Sequence, residues 1–276
     1  MIDDQDIAQR FPRTQNYPID WITRGGMGSH PLWMTEWMSQ KLDLRPGMRV
    51  LDLGCGYARS SIFLAKEFDA QVWATDLWVP ATDNLKTIRE EKLEDRIFPI
   101  HADARSLPFA AEFFDAILAI DCYYYFGTDD LFLNYLVQFL KPAGQIGIVG
   151  AGLVEEMPTP VPAHLQSFWS QDLWSVHSAA WWRKHWERTG LVEIESADTM
   201  VDGWKLWAKW QHHIAPNNKA EIEAIEADAG RHIGYIQLTA RHKSGVELAD
   251  YAWPDTLKAM LKDVKHFTEQ PPANVS

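Results

Sequence analysis

Five short apolar segments in the first half of the chain alternate with segments of helical periodicity, and this alternation restricts the fold more than any other feature. The first of them, residues 48–53, ends in the turn Gly54-Cys55-Gly56. Short strands separated by helices of this length are typical of parallel βαβ units. We therefore predict an α/β protein with a doubly wound, mostly parallel sheet and helices on both faces. The predicted strands are 48–53, 71–76, 97–103, 114–121 and 145–149, and the predicted helices between them are 58–68, 84–93 and 131–140, the last with Thr128 as its N-cap.

The second half of the chain has a different character, because it is rich in tryptophan. Residues 155–175 hold three prolines and are predicted to be an irregular excursion, and eight of the fourteen tryptophans lie within residues 169–210. Pairs such as Trp182 and Trp186 have the spacing of one helical face. We interpret the region as a helical lid or dimer surface that buries its indoles, and an aromatic cage for a cation or a flat ring is the alternative. The predicted elements are a helix at 178–189, a strand at 192–196, a helix carrying Trp204, Trp207 and Trp210, a helix at 220–229 and a strand at 234–240.

Charge and composition exclude several classes of protein. The formal net charge of −12 argues against wrapping nucleic acid or an anionic membrane, since both need a basic surface. No segment has the roughly 18 consecutive apolar residues of a membrane span, and residues 1–10 lack the apolar core of a signal peptide. Two cysteines are too few for a disulfide framework, and no metal-ligand spacing stands out. We expect a cytoplasmic protein with no metal, membrane or nucleic-acid partner.

Four predicted strands each end in a carboxylate, and these carboxylates meet at the edge of the sheet where doubly wound folds bind ligands. Asp52, two residues before the glycine turn, suits a cationic ligand with an amino group. Asp76, about 20 residues past the turn, is placed to accept hydrogen bonds from two ribose hydroxyls. Asp103 is placed to accept one from an adenine amino group, and Asp121 ends the fourth strand. Arg59 stands where a dinucleotide-binding fingerprint has its third glycine, which argues against that type of site.

Five short motifs follow one another through the first half of the chain. They are Val-Leu-Asp-Leu-Gly-Cys-Gly at 50–56, Thr-Asp-Leu at 75–77, Ala-Asp-Ala-x-x-Leu-Pro-Phe at 102–109, Phe-Asp-Ala-Ile at 114–117 and Phe-Leu-Lys-Pro-x-Gly at 139–144. In this order they resemble the motifs of class I methyltransferases that use S-adenosylmethionine, most closely the small-molecule members of the ubiquinone-biosynthesis and cyclopropane-synthase type. The resemblance covers roughly residues 45–152, and Ala143 departs from it by standing where the family has a second glycine.

The resemblance implies a seven-stranded sheet whose last strand is antiparallel, and a cofactor site for S-adenosylmethionine, with S-adenosylhomocysteine as the product. Gly54 and Gly56 would lie against the methionine moiety, and Asp76 would hold the ribose. Asp103 and Ala104 would contact the adenine. Tyr17 and Trp21 belong to the N-terminal arm, which would fold over the cofactor. The other cofactor-site residues that we expect are Asp52, Leu77 and Asp121.

The predicted reaction is methyl transfer to a small-molecule acceptor at nitrogen, oxygen, sulfur or carbon. Tyr124 follows the fourth strand, where the acceptor of such a fold should lie, and His177 precedes a tryptophan-rich helix from which it would reach the cofactor as a base. Neither position is required by the chemistry, because a base is needed only for a protonated nucleophile.

Three other functions are weighed against this one. A non-catalytic module that binds S-adenosylmethionine would carry the same motifs. A nicotinamide-dependent oxidoreductase conflicts with Arg59 and Asp52. Methylation of nucleic acid conflicts with the excess of acidic residues, and no Asn/Asp-Pro-Pro-Tyr-like tetrad follows the fourth strand.

The predicted organisation along the chain has four parts. They are an N-terminal arm and helix at 1–44, the S-adenosylmethionine-binding core at 45–152, the excursion, Trp-rich helices and remaining strands of the same domain at 153–244, and a C-terminal helix with a disordered tail at 245–276.

Overall fold

The computed structural model describes residues 2–248, and its centre is one seven-stranded sheet. The strands are β1 (Arg49–Leu53), β2 (Gln71–Asp76), β3 (Ile97–His101), β4 (Phe114–Ile120), β5 (Leu140–Leu153), β6 (Val192–Thr199) and β7 (Ile233–His242). Their order across the sheet is β3-β2-β1-β4-β5-β7-β6. The first five strands pair in parallel, and β7 runs antiparallel to both β5 and β6. The predicted fold class, including the antiparallel last strand, is confirmed.

Helices cover both faces of the sheet. The α-helices are α1 (Asp4–Arg10), α2 (Ile19–Thr23), α3 (Pro31–Ser39), α4 (Arg59–Phe68), α5 (Ala81–Glu90), α6 (Phe132–Val137), α7 (Ala179–Glu187), α8 (Gly203–Ile214) and α9 (Lys219–Asp228). One apolar core lies between the sheet and a layer that includes α3, α4 and α8, and the second lies under α6 and α7. Because both faces are covered, β1 is buried along nearly its whole length, which explains its continuous apolar sequence.

Several predicted boundaries are wrong. α5 is Ala81–Glu90 rather than 84–93, because it begins directly after Pro80. β3 ends at His101 rather than 103, and β5 and β6 extend to Leu153 and Thr199 rather than to 149 and 196, because their pairing with neighbouring strands continues that far or stops there. β5 starts at Leu140 rather than at residue 145, because a register shift against β4 accommodates the turn around Ala143. α6 is shorter than predicted: its N-cap is Leu131, and Thr128 lies in the preceding turn without capping the helix. The charges of Asp129 and Asp130 favour the first turn of a helix, but both residues precede α6.

The tryptophans of the second half pack largely into the two cores. Trp186 and Trp210 are fully buried, and Trp207 stacks on Tyr235 with ring centroids 5.4 Å apart. Trp182 is also buried, so α7 presents an aromatic face to the sheet. This packing agrees with helices that bury their indoles against the sheet.

Residues 155–175 are irregular apart from a short 3₁₀ turn at Gln171–Leu173. No helix within residues 2–248 is long and apolar enough to cross a membrane. The predicted C-terminal helix and tail fall mainly on residues 249–276, which lie outside the described residues.

Candidate functional site

A cavity of about 350 Å³ opens at the carboxyl ends of β1 to β4, and residues 25–29 of the N-terminal arm close one side of it. This is the edge at which doubly wound sheets bind ligands. Eight of the twelve site residues predicted from the sequence line the cavity. They are Gly54, Gly56, Asp76, Leu77, Asp103, Ala104, Asp121 and Tyr124.

The glycine turn after β1 forms the floor of the cavity. Gly54 has a φ of +73°, and a Cβ there would lie 2.5 Å from the Sγ atom of Cys122. Gly54 is therefore needed for its backbone conformation and to make room for a thiol, which donates a hydrogen bond to the carbonyl of Leu53 at 3.0 Å. A Cβ on Gly56 would meet only the flexible end of Met27, at 3.4 Å, so this glycine faces the cavity.

Asp76 ties the end of β2 to the glycine turn. Its Oδ2 accepts a hydrogen bond from the Gly56 N–H at 2.8 Å. Its Oδ1 accepts from the N–H groups of Trp78 and Val79 at 2.7 and 2.8 Å. A carboxylate has about four lone-pair positions, so three backbone donors leave room for a further donor from a ligand. Asp76 thus shapes the turn and keeps one acceptor position towards the cavity that it lines.

Asp103 lies at the rim of the cavity, two residues beyond the end of β3. Arg105 donates to both of its carboxylate oxygens, from Nε at 3.0 Å and from Nη2 at 2.7 Å. These hydrogen bonds lower the pKa of Asp103, so the carboxylate stays ionised at neutral pH. Ala104 next to it is buried.

Asp121 links three parts of the structure at the end of β4. Its Oδ2 accepts a hydrogen bond from the Ser29 N–H at 2.6 Å, and its Oδ1 accepts one from the Ala151 N–H at 2.9 Å. A Cβ on Gly28 would lie 2.2 Å from Oδ2, so only glycine fits beside this contact. Burial raises the pKa of Asp121, against the effect of these hydrogen bonds. The carboxylate holds the N-terminal arm against β4 and β5.

Asp52, predicted to meet the cofactor, does not line the cavity. It lies beneath the glycine turn with no exposed surface, and its Oδ2 accepts hydrogen bonds from the hydroxyls of Ser60 and Ser61, both at 2.6 Å. Burial raises its pKa to about 6, although the two serines act in the opposite direction. Its position indicates that Asp52 supports the turn from below, because β1 turns its side chain towards α4.

Three further predicted residues lie away from the cavity lining. The Tyr17 hydroxyl donates to Glu67 at 3.0 Å. The ring of Trp21 packs under the guanidinium of Arg59, 4.3 Å from the ring centroid. His177 pairs through Nδ1 with Glu156 at 2.8 Å. The structure therefore does not bring Tyr17, Trp21 or His177 to the site as direct contacts.

Arg59, which sequence reasoning used only to exclude a dinucleotide site, lines the cavity. It is buried, and its Nη2 donates to the carbonyl of Arg24 at 3.2 Å. Its Nε and Nη1 are buried and have no hydrogen-bond partner within residues 2–248. Burial lowers the pKa of Arg59, but a guanidinium remains protonated in proteins. A buried guanidinium at the wall of a cavity suits a ligand that carries a carboxylate.

Aromatic side chains surround the other end of the cavity. Tyr124 and Tyr125 lie in the 3₁₀ turn Tyr123–Tyr125 with ring centroids 4.5 Å apart, and Trp78 meets Tyr125 edge-on at 5.5 Å. Trp78 is 66% exposed and Tyr125 50% exposed, so both rings stand at the mouth. Burial raises the pKa of Tyr124 well above its usual value, so the hydroxyl, which is protonated at neutral pH in any case, keeps its proton at alkaline pH as well. Trp78 and Tyr125 were missed because tertiary packing alone brings them together.

Comparison with known proteins agrees with this architecture. The protein family described as "Methyltransferase domain" matches residues 50–144, the segment from β1 to the turn within β5. Methyltransferase GfsG of Streptomyces halstedii is 32% identical over 132 residues, which are 46% of this chain and 48% of that protein. Glycine/sarcosine/dimethylglycine N-methyltransferase of Actinopolyspora halophila is 28% identical over 168 residues, which are 58% of this chain and 28% of that protein. The chain thus spans less than half the length of these two relatives.

Solved structures share the fold. Phosphoethanolamine N-methyltransferase 2 of Haemonchus contortus, solved in complex with S-adenosyl-L-methionine, superposes with a TM-score of 0.62 at 18% sequence identity. The superposition covers 88% of this chain and 61% of that one. At this identity the likeness shows the fold alone. Together with the family match over the glycine turn, it confirms the resemblance to class I methyltransferases that the motifs indicate.

Proposed function

We propose that this chain, which carries a class I methyltransferase domain, transfers the methyl group of S-adenosylmethionine to a small-molecule acceptor. The single observation that carries the proposal is the coincidence of the family match with the cavity. The match begins at Val50 in β1 and contains the glycine turn, Asp76 and Asp103, and the cavity opens at these residues. The relatives that share this segment are named as methyltransferases.

The residues of the cavity fit the parts of this cofactor. Asp76 has an acceptor position for ribose hydroxyls, and Leu77 follows it at the same wall. Asp103 and Ala104 are proposed to face the adenine. The guanidinium of Arg59 is proposed to bind the carboxylate of the amino-acid part, next to Gly54 and Gly56. The following cofactor-contact assignments are part of the proposal: Gly54, Gly56, Arg59, Asp76, Leu77, Asp103 and Ala104.

The chemistry requires positioning more than proton transfer. The bound cofactor supplies a methyl group on a positively charged sulfur. The chain's residues orient the partners and exclude water, which together account for most of the acceleration that such a site provides. No histidine lines the cavity within residues 2–248. We infer that the acceptor reaches the site with a free lone pair or loses its proton to solvent.

The acceptor is proposed to be a small molecule with an apolar or flat portion. Tyr124 offers a protonated hydroxyl for a polar group, and Trp78, Tyr125 and Phe126 offer ring surfaces. The net charge of −12 disfavours nucleic acid and favours a neutral or cationic molecule. We also propose that the protein is cytoplasmic and that it forms a homodimer through its tryptophan-rich helices.

Binding and turnover can be tested separately. Calorimetry with S-adenosylhomocysteine should give one site per chain, and Asp76→Ala should weaken binding at least tenfold, because the variant removes both the turn contact to Gly56 and the ribose acceptor. Wild-type protein that shows no binding at millimolar ligand would overturn the proposal.

Turnover is tested with labelled S-adenosylmethionine and a panel of amines, thiols, phenols and carboxylic acids, scored by label in the acceptor. Transfer to one class names the acceptor atom. Tight binding of S-adenosylhomocysteine with no transfer to any acceptor would favour the non-catalytic module instead. Asp83→Ala is a suitable control for Asp76→Ala in both experiments, because Asp83 pairs with Lys86 on the surface of α5.

A further inference from the structure

Two histidines converge on one buried carboxylate outside the cavity. His164 belongs to the irregular segment 155–175, Asp228 is the last residue of α9, and His232 directly precedes β7. His164 Nε2 lies 2.9 Å and His232 Nδ1 lies 2.8 Å from the same atom, Asp228 Oδ1. The three ligand atoms all lie within 4.8 Å of one another. None of the three residues lines the cavity.

We propose that His164, Asp228 and His232 bind one divalent transition-metal ion of the zinc type. Ligand atoms lie about 2.0–2.2 Å from such an ion, so ligand atoms on adjacent coordination positions are about 3 Å apart. The two nitrogen–oxygen separations have this size. Two imidazoles and one carboxylate suit zinc and its neighbours better than magnesium or calcium, which prefer oxygen ligands.

The carboxylate is oriented for this role by its second oxygen. Asp228 Oδ2 accepts hydrogen bonds from the backbone N–H groups of His232 at 2.9 Å and Ile233 at 3.1 Å. Such contacts fix a ligating carboxylate and aim its other oxygen.

Imidazoles and backbone N–H groups are the partners that the structure gives this carboxylate. The side chain of Asp228 has no exposed surface, and no lysine or arginine among the described residues pairs with it. The nearby Arg231 donates instead to the backbone carbonyls of Ala227 and Asp228 at the end of α9. Buried charges in proteins are usually paired with another charge or coordinate a metal, so a divalent ion is a suitable partner for this carboxylate.

The two imidazoles leave room for other ligands. Each is 23% exposed, so solvent can reach the metal and water can complete its coordination. The ion would join the irregular segment to the turn between α9 and β7, which are 64 residues apart in the chain. Such a link stabilises the folded state in proportion to the metal bound, because the unfolded chain does not bring these ligands together.

The first test uses tag-free protein, stripped with a chelator and then dialysed against Zn²⁺ alone. Mass spectrometry of the metal should give one zinc per chain, and zinc should raise the melting temperature by several degrees. Co²⁺ in place of zinc should give visible absorption bands of a nitrogen- and oxygen-ligated ion. A wild-type protein that retains no zinc and shows no shift would overturn the proposal and leave a hydrogen-bonded His-Asp-His cluster.

Matched variants locate the ion. His164→Ala should retain no zinc after dialysis, and its affinity for zinc should fall at least tenfold. Unchanged binding of S-adenosylhomocysteine shows that the variant is folded. His232→Ala should behave in the same way. His212→Ala is the control, because His212 pairs with Glu226 of α9 at 2.9 Å but belongs to no group of three ligands within residues 2–248, and it should keep full zinc content. Full zinc content in both His164→Ala and His232→Ala would contradict the assignment.

Discussion

The Oδ2 atom of Asp121 accepts a hydrogen bond from the backbone N–H of Ser29 at 2.6 Å and joins the N-terminal arm to the end of β4. These residues are 92 positions apart, and their contact closes one wall of the cavity. The neighbouring Gly28 has a φ of +60° and leaves no space for a side chain beside the carboxylate. Folding of the arm and formation of the ligand site are therefore coupled.

Gly28→Ala should destabilise the protein and weaken cofactor binding. The left-handed backbone costs about 1–2 kcal/mol with a Cβ, and the contact with Asp121 adds a similar amount. Gly47→Ala is the matched control, because Gly47 has a φ of +79° with nothing within 4 Å of its Cβ position. Urea unfolding and calorimetry with S-adenosylhomocysteine measure both effects. Equal losses in the two variants would show that the contact with Asp121 contributes nothing.

Arg59→Met should reduce the affinity for S-adenosylhomocysteine by about 10- to 100-fold, because hydrogen bonds to a charged group contribute about 1.5–3 kcal/mol each. Affinity for methylthioadenosine, which has no carboxylate, should be unchanged. Arg13→Met is the control, because Arg13 stacks on Phe68 at 4.6 Å much as Arg59 stacks on Trp21. Parallel losses for both ligands would mean that Arg59 only supports the wall of the cavity.

His177→Gln tests the base that the sequence indicated. In the structure the imidazole stacks on Trp181 with centroids 3.7 Å apart and pairs with Glu156. We expect kcat within twofold of wild type and a melting temperature lower by a few degrees, since these contacts contribute about 1–2 kcal/mol. A hundredfold fall in kcat with an altered pH–rate profile would restore His177 as the base.

Local sequence signals predict the strands and the glycine turn, whereas contacts between residues far apart in the chain are not predicted. β1, β2 and β4 were predicted to within one residue at each end, because apolar periodicity and the glycine turn are local signals. The same logic placed Asp76 and Asp121 at the carboxyl edge of the sheet. It could not show that Trp21 supports Arg59, because that contact depends on how the arm packs on α4.

The direction in which a side chain points is also not predicted by the sequence motifs. Asp52 shares a motif with Gly54, yet the strand turns its carboxylate towards Ser60 and Ser61 rather than towards the cavity. The His164, Asp228 and His232 cluster gave no signal because His164 comes from an irregular segment 64 residues from Asp228. Spacing patterns detect ligands that share one helix or loop, and these three do not.

Asp52 should make the free energy of unfolding fall as pH rises, which is the opposite of the effect of most carboxylates in folded proteins. Its pKa is about 6 in the folded state because burial disfavours the charge, and 3.8 is its ordinary value. Between these values the folded state binds more protons than the unfolded state, so the free energy of unfolding falls as pH rises from about 4 to 6. The contribution present at acid pH and lost above pH 6 is on the order of 2–3 kcal/mol.

Asp52→Asn removes this titration while it retains an acceptor for Ser60 and Ser61. Urea unfolding of both proteins at pH 4, 5, 6 and 7 gives the difference in stability at each pH, in which the other titrating groups cancel. The variant should gain stability relative to wild type as pH rises through this window and reach a plateau above pH 6. A difference that does not change with pH would mean that the folded protein ionises Asp52 as readily as the unfolded chain does. The carboxylate would then be hydrated through the turn, and Asp52 would be open to the cavity above it.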